Sequence, residues 1–186
     1  MKRFFDLLLG IIIIPLLAIP ALLIFITIRL TSKGPSLYWS DRVGKNNIIF
    51  HMPKFRTMRT GTPIVATHLL SNSHLHLTVI GGFLRRSSLD ELPQLFSVLK
   101  GEMSFVGPRP ALYNQDDLIA LRKRYGVDKL VPGISGWAQV NGRDELSISD
   151  KIALDVEYLK RQSFWFDLKI LWMTFLKAIK KDGVAH

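Results

Sequence analysis

The chain has no cysteine among its 186 residues, so no disulfide framework holds its fold together. Acidic residues are few beside basic ones, 15 against 25, and the net charge of +10 implies an anionic partner. Such partners are nucleic acid, an anionic membrane face or phosphorylated substrates. No recognised nucleic-acid motif is present and the basic residues are scattered, which argues against nucleic acid. The length suits one domain, with no internal repeat or low-complexity tract.

One apolar run stands out in this 48% hydrophobic chain, because no charged residue occurs from Leu7 to Ile28. About 22 residues make a helix of roughly 33 Å, which is longer than an ordinary buried helix. Pro15 and Pro20 interrupt the run, and each removes an intrahelical hydrogen bond. Arg29 closes the run and no small-residue cleavage site follows, so the segment is not read as a signal peptide.

The charges on both sides of this run bear on whether it crosses the membrane. Positive residues prefer the cytoplasmic side, and they occur on both flanks: Lys2, Arg3, Arg29, Lys33, Arg42 and Lys45. A re-entrant hairpin that breaks at Ile19 and Pro20 satisfies both flanks, with arms of roughly 15 Å each. A proline-kinked spanning helix satisfies only one flank, and it stays open as the alternative.

A second apolar stripe lies near the C-terminus, where aromatic and aliphatic residues alternate with lysines. Its members are Phe164, Trp165, Phe166, Leu168, Lys169, Ile170, Leu171, Trp172, Phe175, Leu176, Lys177, Ile179, Lys180 and Lys181. Tryptophan and lysine around a wide apolar face are typical of a helix lying on anionic lipid. A stripe of this kind also occurs in ordinary protein cores, which is the alternative.

The remaining segments predict short strands and helices. Apolar pieces at 37–39 and 48–50 around the turn at 44–47 predict a β-hairpin. Residues 111–126 and 146–162 have helical spacing. Two further segments are expected to be loops, namely 59–78, rich in Thr, Ser and His, and 132–142, between Pro-Gly and Asn-Gly pairs.

The acidic pair Asp90-Glu91 is the most informative local feature. Adjacent carboxylates oppose each other's ionisation. Helical spacing after the pair, with Pro93 in the first turn, predicts that Asp90 lies near a helix N-cap. Free amides at a helix N-terminus bind anions, so the pair is predicted to sit where a phosphate would also bind. Ser88 followed by Glu91 also fits a capping box, a routine way to begin a helix.

Five motifs follow one another in order along nearly the whole chain. They are 2–6 (KRFFD), 54–58 (KFRTM), 85–110 (ending in GEMSFVGPRP), 132–143 (PGISGWAQVNGR) and 154–158 (LDVEY). In these motifs the chain resembles the bacterial sugar transferases, the monotopic polyprenyl-phosphate phosphoglycosyl transferases. The resemblance favours the re-entrant form of the N-terminal segment, although the family commonly has Ser-Pro where this chain has Ile19-Pro20.

The resemblance implies a reaction and assigns roles to the pair. A sugar 1-phosphate would pass from a UDP-sugar to undecaprenyl phosphate, with release of UMP, as the first membrane step of glycoconjugate synthesis. By resemblance Asp90 is the nucleophile and forms a phosphosugar intermediate. Glu91 suits a Mg²⁺ ligand, because magnesium takes one or two protein carboxylates and completes its shell with phosphate oxygens and water.

Positive groups are expected around the migrating phosphorus, since phosphoryl transfer needs them. Arg85 would help to keep Asp90 ionised. Arg109, between Pro108 and Pro110, is the leading phosphate ligand. The set predicted to bind substrate is Lys54, Arg56, Arg85, Arg109, Pro110 and Arg143.

The predicted fold is α+β, mostly helical with a short β-hairpin. A membrane anchor is expected over 1–33 and a cytosol-facing catalytic domain with interfacial helices over 34–186. The expected location is the cytosolic face of the bacterial inner membrane, with anionic lipid as a further partner and no nucleic acid. Both a monomer and a homo-oligomer are compatible with the sequence.

Two other functions are each compatible with part of the sequence. A non-catalytic basic scaffold on the membrane surface explains the charge and the apolar run, but not the acidic pair or the Pro-Arg-Pro segment. The polytopic class of sugar-phosphate transferases is disfavoured, because only one apolar segment is long enough to insert.

Overall fold

A computed structural model describes residues 2–62, 76–142 and 145–180 of the chain. This part is mostly helical with a small sheet, as predicted. The helices are α1 (Lys2–Thr31), α2 (Gly81–Arg86), α3 (Gln94–Lys100), α4 (Asp116–Arg124), α5 (Trp137–Val140), α6 (Ile148–Arg161) and α7 (Phe164–Lys180). The strands are β1 (Leu37–Val43), β2 (Ile49–Phe55), β3 (Ser104–Val106), β4 (Ala111–Leu112) and β5 (Gly133–Ser135).

Helix α1 is continuous from Lys2 to Thr31 and contains both Pro15 and Pro20. The break predicted at Ile19 and Pro20 is therefore not shown. Among the described residues α1 is the helix that is long and apolar enough to cross a membrane, and only 6% of its apolar window is buried. A core helix of a soluble protein would be mostly buried, so this surface needs an apolar environment.

The N-terminal end of α1 is tied into the rest of the protein by polar contacts. Lys2 forms an ion pair with Asp167 of α7. Asp6 is buried, and its carboxylate accepts hydrogen bonds from the Ser104 hydroxyl at 2.9 Å and from the Phe105 amide at 3.1 Å. Because a buried carboxylate requires such partners, these contacts fix the beginning of α1 against β3.

The C-terminal end of α1 packs on the same body through a second cluster. Ile28 is fully buried and contacts Phe55 of β2 and Leu84 of α2. The Arg56 guanidinium donates to the Ser32 hydroxyl at 2.8 Å, just beyond the helix. Both ends of α1 therefore lie against one folded unit.

The small sheet is built on the predicted hairpin. Strands β1 and β2 pair antiparallel from Leu37 opposite Phe55 to Val43 opposite Ile49, and β4 adds to β1 to give the order β2-β1-β4. The turn contains Asn46 with a φ of 56°, a conformation that asparagine tolerates. The hairpin prediction is confirmed, with longer strands.

A second, parallel pair joins β3 to β5. The expectation of a loop over 132–142 is wrong, because β5 and the short helix α5 lie there. The helices predicted over 111–126 and 146–162 are present as α4 and α6. Most of the loop predicted over 59–78 lies outside the described residues.

The main core lies between α3, β3, α6 and α7. Val98, Val106, Tyr158 and Ile170 are buried together there. Helix α7 contributes one face to this core, as the alternative for its apolar stripe predicted. Its other face stays exposed, through Phe164, Trp165, Trp172, Phe175 and Leu176.

Candidate active site

The acidic pair lies in a 3₁₀ turn that precedes α3. This turn spans Leu89–Glu91, and α3 begins only at Gln94, after Pro93. The predicted capping box does not form, because the Ser88 side chain makes no capping hydrogen bond and the Ser88 backbone is left-handed, with a φ of 55°. The prediction that a helix begins at or just before the pair is met by this 3₁₀ turn, which has Ser88 at its N-cap, and not by α3. The Glu91 side chain has stronger partners elsewhere.

Glu91 is held between two cations from distant parts of the chain. Its Oε1 accepts from Lys54 Nζ at 2.8 Å and from Arg109 Nη2 at 2.9 Å. Lys54 lies near the end of β2, and Arg109 lies between β3 and β4. The Glu91 side chain is only 10% exposed, so these are largely desolvated ion pairs.

The two adjacent carboxyls have opposite pKa shifts. Burial raises the pKa of Asp90, and the negative charge of Glu91 adds to this effect, while Lys54 opposes it. Burial also disfavours ionised Glu91, but Arg109 and Lys54 outweigh it and hold the pKa of Glu91 well below its ordinary value. Glu91 is therefore a fixed anion. Asp90 is the more basic carboxylate of the two, because a raised pKa means a greater affinity for a proton.

Two more cations belong to this environment. Burial lowers the pKa of Lys54, while the charge of Glu91 opposes the shift. Arg85, at the end of α2, donates from Nε to the Thr57 hydroxyl at 3.0 Å, and its charge acts on Asp90. The acidic pair is thus surrounded by positive groups, an arrangement suited to a phosphorylated ligand.

The segment that carries Arg109 is fixed residue by residue. The Gly107 amide donates to Ser135 O at 2.8 Å, and the Gly133 amide donates to Pro108 O at 2.9 Å. A Cβ on Gly107 would lie 2.3 Å from Val131 O, so only glycine allows this approach of two backbones. The β3–β5 pair therefore anchors the start of the Pro-Arg-Pro segment.

The next two carbonyls are held by arginine side chains. Arg122 of α4 donates to Arg109 O at 2.7 Å, and Arg42 of β1 donates to Pro110 O at 3.2 Å. Arg122 also contacts Asp155 Oδ2 at 2.7 Å through Nη2 and at 3.0 Å through Nε. Asp155 is 1% exposed, which makes this a buried pair between α4 and α6.

Comparison with known proteins identifies the family to which this arrangement belongs. The family model of the bacterial sugar transferases matches residues 1–181. The chain belongs to that family.

Several curated relatives of this bacterial sugar transferase are known. An uncharacterised sugar transferase of Bacillus subtilis is 39% identical over 100% of this chain and 91% of its own length. The undecaprenyl-phosphate glucose phosphotransferase of Komagataeibacter xylinus is 40% identical over 96% of this chain but 36% of its own length. The undecaprenyl-phosphate galactose phosphotransferase of Salmonella typhimurium is 36% identical over 98% of this chain and 41% of its own length. The chain thus spans about two-fifths or less of the latter two relatives.

The structure of this sugar transferase brings together most of the predicted site residues. Lys54, Arg85 and Arg109 surround Asp90 and Glu91, and Pro110 follows Arg109 in the fixed segment. Among the described residues, one predicted ligand, Arg56, is not brought there. Arg56 is 6% exposed and donates to Ser32 and to Lys33 O after α1, while Arg143 lies outside the described residues.

Sequence reasoning gave no role to three residues that shape the site. Thr57 orients Arg85, while Arg42 and Arg122 hold the backbone around Arg109. Thr57 is close to Lys54 within one family motif, so its position offered a signal. Arg42 and Arg122 lie outside the five motifs, and nothing local distinguished them from surface arginines.

Proposed function

We propose that this bacterial sugar transferase moves a sugar 1-phosphate from a UDP-sugar to undecaprenyl phosphate and releases UMP. The observation that carries the proposal is the pairing of a fixed anion, Glu91, with a neighbouring carboxylate of raised pKa, Asp90, inside a ring of cations. The named activities of the relatives in Komagataeibacter xylinus and Salmonella typhimurium support the same reaction class.

The first step would use Asp90 as the nucleophile. A carboxylate oxygen of Asp90 attacks the β-phosphorus, which bears the sugar, and the bond from this phosphorus to the bridging oxygen breaks. UMP departs with the electron pair, and a phosphosugar-aspartate intermediate remains. Arg109 and Lys54 lie where they would offset the negative charge that develops on the phosphates.

The second step returns the enzyme to its starting state. A phosphate oxygen of undecaprenyl phosphate attacks the phosphorus of the intermediate. The bond from Asp90 to phosphorus breaks, the aspartate becomes a carboxylate again, and the product is a polyprenyl diphosphosugar. Such a sequence gives ping-pong kinetics, since UMP leaves before the lipid reacts.

The donor set at this site suits Mg²⁺. In residues 2–62, 76–142 and 145–180 no group of three His, Cys, Asp or Glu side chains is placed to hold a metal. Magnesium needs no such cage, because one or two carboxylates and substrate phosphates complete its shell. Glu91, ionised beside Asp90, would hold it, and the bound ion would neutralise charge on the diphosphate.

We further propose a monotopic placement at the cytosolic face of the bacterial inner membrane. Both ends of α1 pack against one folded unit, through Asp6 at the start and Ile28 near the end. A helix that crosses the bilayer would put its ends on opposite sides, so the shared contacts favour a segment that does not cross. The proposed return at Ile19 and Pro20 requires α1, which is continuous in the structure, to bend there in the membrane. The exposed aromatic face of α7, with Lys169 and Lys177, would lie on anionic lipid.

The test of the reaction is UMP release by the full chain in detergent. Wild-type protein is incubated with Mg²⁺, undecaprenyl phosphate and a panel that includes UDP-glucose, UDP-galactose and UDP-N-acetylated sugars. Asp90→Asn is run beside it, with Asp41→Asn as a control, because Asp41 is an exposed carboxylate paired with His51. We expect release by wild type and Asp41→Asn, and none by Asp90→Asn.

A second readout tests the covalent intermediate. Without the lipid acceptor, the intact mass of wild-type protein should rise by one phosphosugar, and that of Asp90→Asn should not. UMP release by Asp90→Asn would contradict the assignment of Asp90 as the nucleophile. Membrane binding without UMP release from any donor would favour the scaffold alternative.

A further inference from the structure

The Pro-Arg-Pro segment has an unusual need for support from side chains. Pro108 and Pro110 have no amide hydrogen, so neither can donate a backbone hydrogen bond to fix the segment. Apart from the Arg109 amide, the backbone groups that remain are its carbonyls, and all three accept hydrogen bonds: Pro108 O from the Gly133 amide, Arg109 O from Arg122, and Pro110 O from Arg42. Two of the three donors are arginine side chains from other elements.

Resting on the function proposed above, we propose that Arg122 is a positioning residue, oriented by Asp155, which fixes the Arg109 backbone so that the Arg109 guanidinium reaches Glu91 and the diphosphate. Arg42 performs the same task one residue later. Neither arginine needs to touch the substrate. A connected chain of contacts runs from Asp155 through Arg122 to Arg109 and ends at Glu91 Oε1.

The energetics of this chain of contacts favour a fixed geometry. The Arg122 side chain is 12% exposed and that of Asp155 is 2% exposed, so the pair is shielded from solvent. One guanidinium makes three hydrogen bonds, two to Asp155 Oδ2 and one to Arg109 O. The planar fork of arginine allows contacts in several directions at once, which an ammonium group cannot reproduce with the same geometry.

Positioning matters because phosphoryl transfer depends on placement. A catalytic group displaced by about 1 Å costs on the order of 100-fold in rate. If Arg122 is lost, Arg109 O loses its donor and the guanidinium is no longer held at one distance from Glu91. Loss of Arg122 should therefore slow the reaction only through its effect on Arg109. This requirement distinguishes a positioning role of Arg122 from a general contribution to stability.

A double-mutant cycle between Arg122 and Arg109 tests this requirement. UMP release is measured for wild type, Arg122→Gln, Arg109→Gln and the double variant. We expect Arg122→Gln to lower kcat by about 10-fold to 100-fold, with a smaller change in KM for the UDP-sugar. In the Arg109→Gln background the same change should cost less than about 3-fold, because residues that act as one unit are not additive.

Conservative and control variants complete the test. Arg122→Lys keeps the charge but not the fork, and should recover part of the lost kcat. Arg124→Gln makes the same substitution at an exposed position of α4 and should leave kcat unchanged. If Arg122→Gln does not fold, Asp155→Asn replaces it in the cycle, since it removes the charge that orients Arg122 while keeping the side-chain shape.

The outcomes distinguish this inference from the proposed function. No UMP release by wild type would overturn the proposed reaction itself. An active wild type with additive effects of Arg122 and Arg109 would overturn only the positioning role. A fall in kcat that merely tracks a lower melting temperature, with no recovery in Arg122→Lys, would also overturn it.

Discussion

Residues Asp90 and Glu91 are neighbours in sequence but have different electrostatic surroundings. Glu91 receives hydrogen bonds from Lys54 and Arg109, whereas burial dominates the environment of Asp90. Two carboxyls whose pKa values are pushed apart suit two different roles, one as a fixed charge and one as a reactive group. The different roles proposed for Asp90 and Glu91 follow from these contacts.

A first prediction concerns the pH dependence of activity. As the proposed nucleophile, Asp90 would react only when ionised, and burial raises the pKa of Asp90 above the ordinary 3.8. As the pH falls, Asp90 is therefore protonated earlier than an exposed aspartate would be, and kcat/KM should decline with a midpoint above 3.8. Initial rates of UMP release across a pH series measure this midpoint. A decline centred at or below the ordinary value would contradict the assignment, and Asp41→Asn should leave the midpoint unchanged.

A second prediction concerns Lys54, whose side chain is 15% exposed. Lys54→Met leaves Glu91 with one cation fewer in a largely desolvated site, and should lower the free energy of unfolding by about 3 kcal/mol. Lys100→Met is the matched control, because the Lys100 side chain is 49% exposed and its ion pair with Glu102 is long, at 3.9 Å from Nζ to Oε1. That change should cost less than about 1 kcal/mol. Denaturant unfolding in detergent compares the two, and equal losses would refute the argument.

The secondary-structure elements that depend on local sequence patterns were predicted from the sequence. The hairpin followed from apolar runs around the turn at Gly44, and α4 and α6 followed from helical spacing. The β3–β5 pair was missed, because each strand has three residues and their pairing depends on contacts between distant segments. The capping box, an alternative interpretation of Ser88 and Glu91, does not form, since Glu91 has long-range partners instead of a local cap.

The residues of the candidate site, like the secondary-structure elements, were predictable only where a local sequence pattern marked them. Asp90, Glu91 and Arg109 stood out through motifs, and the structure brings them together with Lys54. The buried pair of Arg122 and Asp155 was not predicted as part of the site. Arginines are usually exposed, and only the packing of α4 against α6 places this one beside Arg109.

A third prediction concerns the topology of α1. The absence of cysteine allows single-cysteine labelling without further substitutions. One cysteine in an N-terminal extension and another at Lys33→Cys would report the two ends of the helix. Both should react with a membrane-impermeant maleimide only from the cytosolic side, because both ends pack on one body. Labelling of the two positions from opposite sides would establish the spanning alternative instead.

At the scale of the whole molecule, the exposed apolar residues of α1 and α7 form surface that is suited to contact with lipid. Helix α1 exposes most of its length, and α7 adds Trp165, 77% exposed, and Trp172, 60% exposed. In the placement proposed above, the net charge of +10 would favour an anionic bilayer beneath this surface. Charge and apolar surface together account for membrane association of the entire protein.

A fourth prediction tests this orientation with brominated lipids, which quench nearby tryptophan. The chain has four tryptophans, and two of them lie on the exposed face of α7. Replacing Trp165 and Trp172 with phenylalanine should remove a large part of the quenchable fluorescence in anionic vesicles. Trp137→Phe is the control, because Trp137 is partly buried and its indole donates to Glu157 at 2.8 Å. Unchanged quenching in the α7 variant would refute lipid contact there.

The anchoring of α1 at both ends also sets an order for biogenesis. Lys2 and Asp6 are synthesised long before their partners, which lie 165 and 98 residues later in the chain, at Asp167 and Ser104. During translation the apolar helix is therefore complete long before the contacts that hold its start can form. Contacts of such long range form slowly, and the waiting chain is exposed to aggregation. Membrane insertion would protect the nascent helix until the ribosome has released almost the whole catalytic region.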